Sequence, residues 1–109
     1  HRDIRWPNVM KYIGQTAWFL IDFDDAAFKP TKAATHLKQS NHAPEILIDG
    51  HGEAVDMWGV GLLIAESSIS TTALDMDDLK KNLLFPKPEA RYTAEEAMKK
   101  LAVIHEQQC

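Results

Sequence analysis

The sequence predicts an α+β fold, mainly helical, with one short β-hairpin near its start. Three observations predict it. Two apolar runs, VMKYI at 9–13 and AWFLIDF at 17–23, flank GQT and read as the strands of a hairpin. EAVDMWGVGLLIAESS carries a single charge, Asp56, between Val55 and Ala65, the pattern of a helix buried in a core. DMDDLKKNLLF at 75–85 and AEEAMKKLAVIHEQQ at 94–108 mix apolar and charged residues at helical spacing.

Each element has its own local reason. Residues 24–41 mix charges, Pro30 and small residues, and read as a long loop. APEILI offers a helical turn after Pro44, because proline suits a first helical position. DGHG at 49–52 is a turn. In the apolar helix, two glycines lower helix propensity, so they are expected to admit close packing. An apolar circumference implies burial on all sides. The 75–85 helix opens on acids, which suit its positive N-terminal end, and stops before PKP. Thr93 with Glu96 three residues later forms a capping box for the last helix, whose inward face carries Ala97, Leu101 and Ile104.

The composition is that of one globular domain: 109 residues, 45% hydrophobic and 26% charged. A net charge of −4 leaves no basic excess to neutralise phosphates, which excludes broad nucleic-acid binding. VDMWGVGLLIA is too short to span a bilayer, so no membrane partner is expected. Cys109 has no partner for an internal disulfide, and no secretory signal pattern is present. An intracellular location, cytoplasmic or nuclear, is expected.

The chemistry concentrates at the start, in HRDIRWPN and IDFD. Asp22 closes the run WFLI, which is expected to lie in a core, where a carboxylate needs a cation or donors. A hairpin brings the start of its first strand beside the end of its second. Asp22 is therefore expected to approach Asn8 and the Asp3 loop, and two carboxylates with an amide converge on one rim. Oxygen ligands of this kind suit magnesium, with phosphate oxygens and water completing the shell. His36, His42, His51 and His105 show no metal-ligand spacing and read as surface or structural residues. Trp6, Trp18 and Trp58 read as packing residues, and Asp24 and Asp25 as a solvated loop.

HRDIRWPN resembles the catalytic loop of the protein kinase superfamily, H-R-D-x-x-x-x-N. IDFD at 21–24 stands where that family has D-F-G, and APE at 43–45 is intact. DMWGVG at 56–61 resembles its D-x-W-x-x-G on the central helix, and Arg91 its late arginine. HRDIRW with IDFDDA resembles in particular the kinase-like domains of fungal and Crinkler-type effector proteins.

The resemblance implies a kinase-like C-terminal lobe whose hairpin carries the catalytic and metal-binding loops. It implies ATP and Mg2+ as cofactors and a protein substrate, serine/threonine in class. Asp3 would accept or orient the substrate hydroxyl proton, and Arg5 would stabilise the transferring phosphoryl group. Asn8 and Asp22 would hold the metal. Arg2 would meet a regulatory phosphate, with Thr31, Thr35 and Ser40 as candidate acceptors. Glu45 would pair with Arg91 in a buried bridge. Asp56 would accept main-chain N–H groups of the HRD turn, and His1 would be structural.

Four departures qualify this. Asp24 replaces the glycine of D-F-G, a position associated with positive φ. Lys38 stands where the family has a threonine before APE, which bears on substrate class. Only 35 residues separate Asp56 from Arg91, so the substrate-docking helix is expected to be missing or reduced to SSISTT. No glycine-rich loop, V-A-I-K lysine or paired glutamate is present, so residues 1–109 are expected to be a partial domain without its N-terminal lobe. Such a fragment is expected to be inactive in isolation and to self-associate through an uncovered apolar flank. A pseudokinase or non-catalytic interaction fragment is the alternative.

Overall fold

A computed structural model of the chain describes residues 1–67 and 74–108. It is an α+β arrangement of three helices and a two-stranded antiparallel sheet among the described residues. β1 (Val9–Lys11) pairs with β2 (Trp18–Leu20) in the register Val9↔Leu20, Met10↔Phe19 and Lys11↔Trp18. α1 (Ala54–Glu66), α2 (Leu74–Leu83) and α3 (Ala94–Gln108) follow. Short 3-10 turns at Trp6–Asn8, Gln39–Asn41, Pro44–Leu47 and Pro88–Ala90 punctuate the rest. Three of them begin with proline at their first or second position, where the missing N–H costs nothing. The segment SSISTT beyond Ser67 lies outside the described residues, as does Cys109.

α1 serves two apolar clusters. Met57 joins Leu79, Leu83, Ala97 and Ile104 between the helices. Val55 joins Ala34, Ala43 and Ile46 beneath the loop segment. The glycines act as spacers. A Cβ on Gly61 would stand 2.8 Å from Leu83 Cβ, and one on Gly59 would stand 2.8 Å from the Ile4 carbonyl oxygen. Both distances are too short for a methyl group, so α2 and the start of the chain reach α1 only because these side chains are absent. The last helix opens with its capping box closed in both directions. The Thr93 N–H donates to Glu96 Oε1 at 3.0 Å, and the Glu96 N–H donates to Thr93 Oγ1 at 3.2 Å.

Three expectations are corrected. α1 is not buried on all sides: Leu62, Leu63 and Ile64 are half-buried and Ala65 is exposed. An apolar groove lined by Trp6, Val60, Leu63, Ile64, Met76 and Leu101 runs along that flank, where no described element covers the helix. The run WFLI does not lie in a core either. Trp18 is 59% exposed and Leu20 36% exposed, because a two-stranded sheet has no covering layer to bury either face. Trp18 therefore lies under Lys11, whose Nζ sits 5.8 Å from the ring centroid, and is not a packing residue. Trp58 does pack against the loop-side cluster.

Candidate functional site

The hairpin brings the two chemical loops together. Its pairing continues past the strands, where the Ile21 N–H donates to the Asn8 carbonyl at 2.9 Å. Asp22 follows directly, and Asp22 and Asp3 line one open cleft of about 360 Å³ with Arg5 and His42. Asp22 itself is exposed. Its main chain turns in the left-handed region at φ +61°, and Arg2 does the same at +69°. Side-chain-bearing residues rarely adopt that region. Asp24, the expected left-handed position, is not among the positive-φ residues of the described chain. The bend falls two residues earlier.

Asp3 is buried, and its carboxylate is held from three directions. Arg5 Nε donates to Oδ1 at 2.9 Å. His42 Nε2 lies 2.9 Å from the same oxygen. Asn8 Nδ2 donates to Oδ2 at 3.0 Å and to the Asp3 carbonyl at 2.9 Å. With its nitrogen spent there, the Asn8 amide keeps its oxygen as a free acceptor. The Asp3 N–H donates to His1 Nδ1 at 3.1 Å, so His1 Nε2 carries the ring hydrogen and donates to the Ile21 carbonyl at 2.9 Å. His1 thus ties the two loops together.

α1 fixes this loop from below. The Arg2 N–H donates to Asp56 Oδ1 at 2.8 Å, and the His1 main-chain nitrogen lies 3.1 Å from Oδ2. The Arg2 guanidinium turns to main-chain carbonyls, reaching Asp25 at 2.6 Å through Nε and Lys32 at 3.1 Å through Nη1. Farther off, Arg91 has no exposed side-chain surface. Its guanidinium grips both Glu45 oxygens, donating to Oε1 at 2.9 Å, and also reaches the carbonyls of Phe85 and Ala54. The paired charges are satisfied throughout.

Among the candidate phosphate acceptors, Thr35 and Ser40 are exposed. Thr31 is corrected: it is buried, and its hydroxyl donates to the His51 carbonyl at 2.5 Å, so this conformation withholds it from modification. His36 is exposed and lies 2.6 Å from Asp25 Oδ1, which makes Asp25 a paired carboxylate and not a merely solvated one. Of the histidines read as surface or structural, His42 and His51 are buried and hydrogen-bonded. His42 is the site residue that sequence reasoning missed. Its only local signal is its place directly before APE.

Among the described residues no group of three or more His, Cys, Asp or Glu side chains is placed to hold a metal by itself. Asn8 and Asp22 still fit magnesium in donor type, one free amide oxygen and one exposed carboxylate, with substrate phosphates and water as the other ligands. No helix among the described residues is long and apolar enough to cross a membrane.

No protein-family model matches the chain, and no solved structure matches it. Crinkler effector protein 8 of Phytophthora infestans is 44% identical over 109 residues, which cover 94% of this chain and 18% of that protein. A Drosophila melanogaster protein described as a dual specificity tyrosine-phosphorylation-regulated kinase 3 homolog is 33% identical over 69 residues, covering 61% of this chain and 8% of that protein. The chain therefore corresponds to under a fifth of either relative, and one of the two is described as kinase-related.

Proposed function

We propose that this chain is the catalytic-loop portion of a protein-kinase-like phosphotransferase that moves the γ-phosphoryl group of ATP to a protein hydroxyl. One observation carries the reading: Asp3 and Asp22 line a single cleft, with Asn8 bonded to Asp3 and left with a free oxygen. The partial likeness to a kinase homolog supports it. In this reading Asp3 takes the hydroxyl proton as the acceptor attacks, since it is a buried carboxylate with donors holding its orientation. Arg5, 40% exposed in its side chain, reaches into the cleft and stabilises negative charge on the group in transit. Asn8 and Asp22 hold Mg2+, which when bound neutralises the nucleotide phosphates. Arg2, already bonded to two carbonyls, keeps the catalytic turn and the 25–32 loop together.

The protein carrying this chain should transfer label from γ-labelled ATP to a general acceptor such as casein in the presence of magnesium. Asp3→Asn should abolish transfer while sparing nucleotide binding, and Asp22→Asn should weaken magnesium-dependent nucleotide binding. Undiminished turnover in Asp3→Asn would remove the assigned role. A second reading, a non-catalytic interaction fragment, is favoured by the exposed apolar side chains of Ile13 and Phe28 and by the flank of α1 that no described element covers. Absence of transfer with retained fold in the full-length protein would select it.

A further inference from the structure

We propose that His42 is a positioning residue that decides which oxygen of Asp3 is left free to meet the acceptor hydroxyl. The inference rests on the reading of Asp3 as proton acceptor.

A carboxylate offers about four lone-pair positions, two on each oxygen. On Asp3, Oδ1 has both occupied, one by Arg5 Nε and one by His42 Nε2, each at 2.9 Å. Oδ2 has one occupied, by Asn8 Nδ2 at 3.0 Å. One lone pair on Oδ2 remains. Arg5 and Asn8 belong to the same short loop as Asp3 and would move with it. His42 comes from 39 residues away and is the external reference.

The ring of His42 is itself oriented. Its Nδ1 lies 2.8 Å from the Lys38 carbonyl, which only accepts, so Nδ1 carries a hydrogen. Asp3 Oδ1 is likewise an acceptor, so the 2.9 Å contact at Nε2 is a hydrogen bond only if Nε2 carries a hydrogen too, and the ring then meets the carboxylate as an imidazolium. Just after His42 in the chain, Ala43 and Ile46 are 1% exposed in the loop-side cluster, and Glu45 is locked to Arg91. A ring held at one nitrogen and presenting the other to a carboxylate fixes the carboxylate's rotation, as outer hydrogen bonds fix ligating or catalytic groups elsewhere. His51 is the contrast. Its Nδ1 also faces a carbonyl, that of Ile48 at 2.8 Å, but its Nε2 faces the Arg2 guanidinium at 3.4 Å and so accepts. Of these two buried histidines, His42 is the one that presents a ring nitrogen to Asp3.

The test compares His42→Leu and His42→Gln in the full-length protein. Glutamine places an amide N–H near the Nε2 position, and leucine places none. His42→Leu should lower kcat about tenfold to a hundredfold with the KM for ATP unchanged, the size expected when a reacting group is misplaced. His42→Gln should recover most of that loss. Equal rates in His42→Leu and wild type, or equal losses in both variants, overturn the proposal. A second readout does not depend on transfer. In nitrogen NMR of the imidazoles, the His42 Nε2 resonance should shift on Asp3→Asn while His51 does not. An insensitive Nε2 overturns the proposal. A responsive Nε2 in a protein without transfer sustains the contact while the kinase reading fails.

Discussion

The loop half of the chain, 1–53, and the helical half, 54–108, reach order by different means. The helical half is held by periodic apolar faces: Met57, Leu79, Leu83, Ala97 and Ile104 meet because each sits at helical spacing on its own element. The loop half has two strands of three residues and holds its shape with side chains bonded to distant main chain, as Arg2 does to Asp25 and Lys32, Thr31 to His51 and Asp49 to Ala33. The proposed chemistry lies in the half with less regular structure. A loop can turn several unlike side chains into one cleft, whereas a helix face presents residues only at fixed intervals. Asp56 and Arg91 are the rivets between the two halves, each from the helical side gripping the loop side.

Breaking the second rivet should have the largest effect. Arg91→Ala leaves Glu45, whose side chain is only 12% exposed, without its cation and frees the carbonyls of Phe85 and Ala54, and should cost about 3 kcal/mol in urea denaturation. The double change Glu45→Leu with Arg91→Met should lose less than Arg91→Ala alone, because no charge is stranded. A loss equal to or greater than that of the single variant would show that the bridge is not what couples the halves.

The two glycines of α1 sharpen the contrast. Gly59→Ala and Gly61→Ala should each cost about 1–3 kcal/mol of overpacking, partly offset by better helix propensity. They should differ in what else they disturb. Gly61 meets Leu83 in the helical core, so its variant should lose stability alone. Gly59 meets the carbonyl of Ile4, next to Asp3, so its variant should also lose transfer per folded molecule. Identical specific activities would show that the loop tolerates displacement from α1.

The smallest effect belongs to the helical half alone. Thr93→Ala should cost about 1 kcal/mol by opening the cap of α3. The Thr93 N–H and hydroxyl hold the Glu96 carboxyl below its usual value of 4.5. The folded state therefore binds fewer protons there than the unfolded chain. This contribution is present above about pH 4.5 and is lost as pH falls through the lower folded value. Glu96→Gln should erase that acid dependence, read as a flatter melting temperature between pH 5 and 3.

What could be read from the residues follows the same division. The hairpin, α1, α2, α3 and the capping box were legible because their signals are local, a period or a cap within a few positions. The approach of Asp22 to the Asp3 loop was legible from the hairpin, whereas the hydrogen bond from Asn8 to Asp3 was not foreseen. The bond from His42 to Asp3 was not, since it depends on how a long loop with little regular structure folds back. The apolar circumference of α1 pointed to burial on all sides, because apolarity reports what a face prefers and not whether another element reaches it; the flank that no described element covers was expected only from the missing family motifs. Left-handed turns at Arg2 and Asp22 were hidden because neither position is glycine.

Asp22 shows how surface position and substitutability come apart. It is open to solvent, where most replacements are tolerated. Yet its backbone sits at φ +61°, which β-branched and bulky residues resist, while the proposed metal role needs an oxygen there. Glycine satisfies the bend and lacks the oxygen; glutamate keeps the oxygen and fits the bend less well. Aspartate alone meets both demands in full, since asparagine fits the bend but offers the metal only a neutral oxygen, so a mutational scan should find this exposed position nearly as intolerant as the interior.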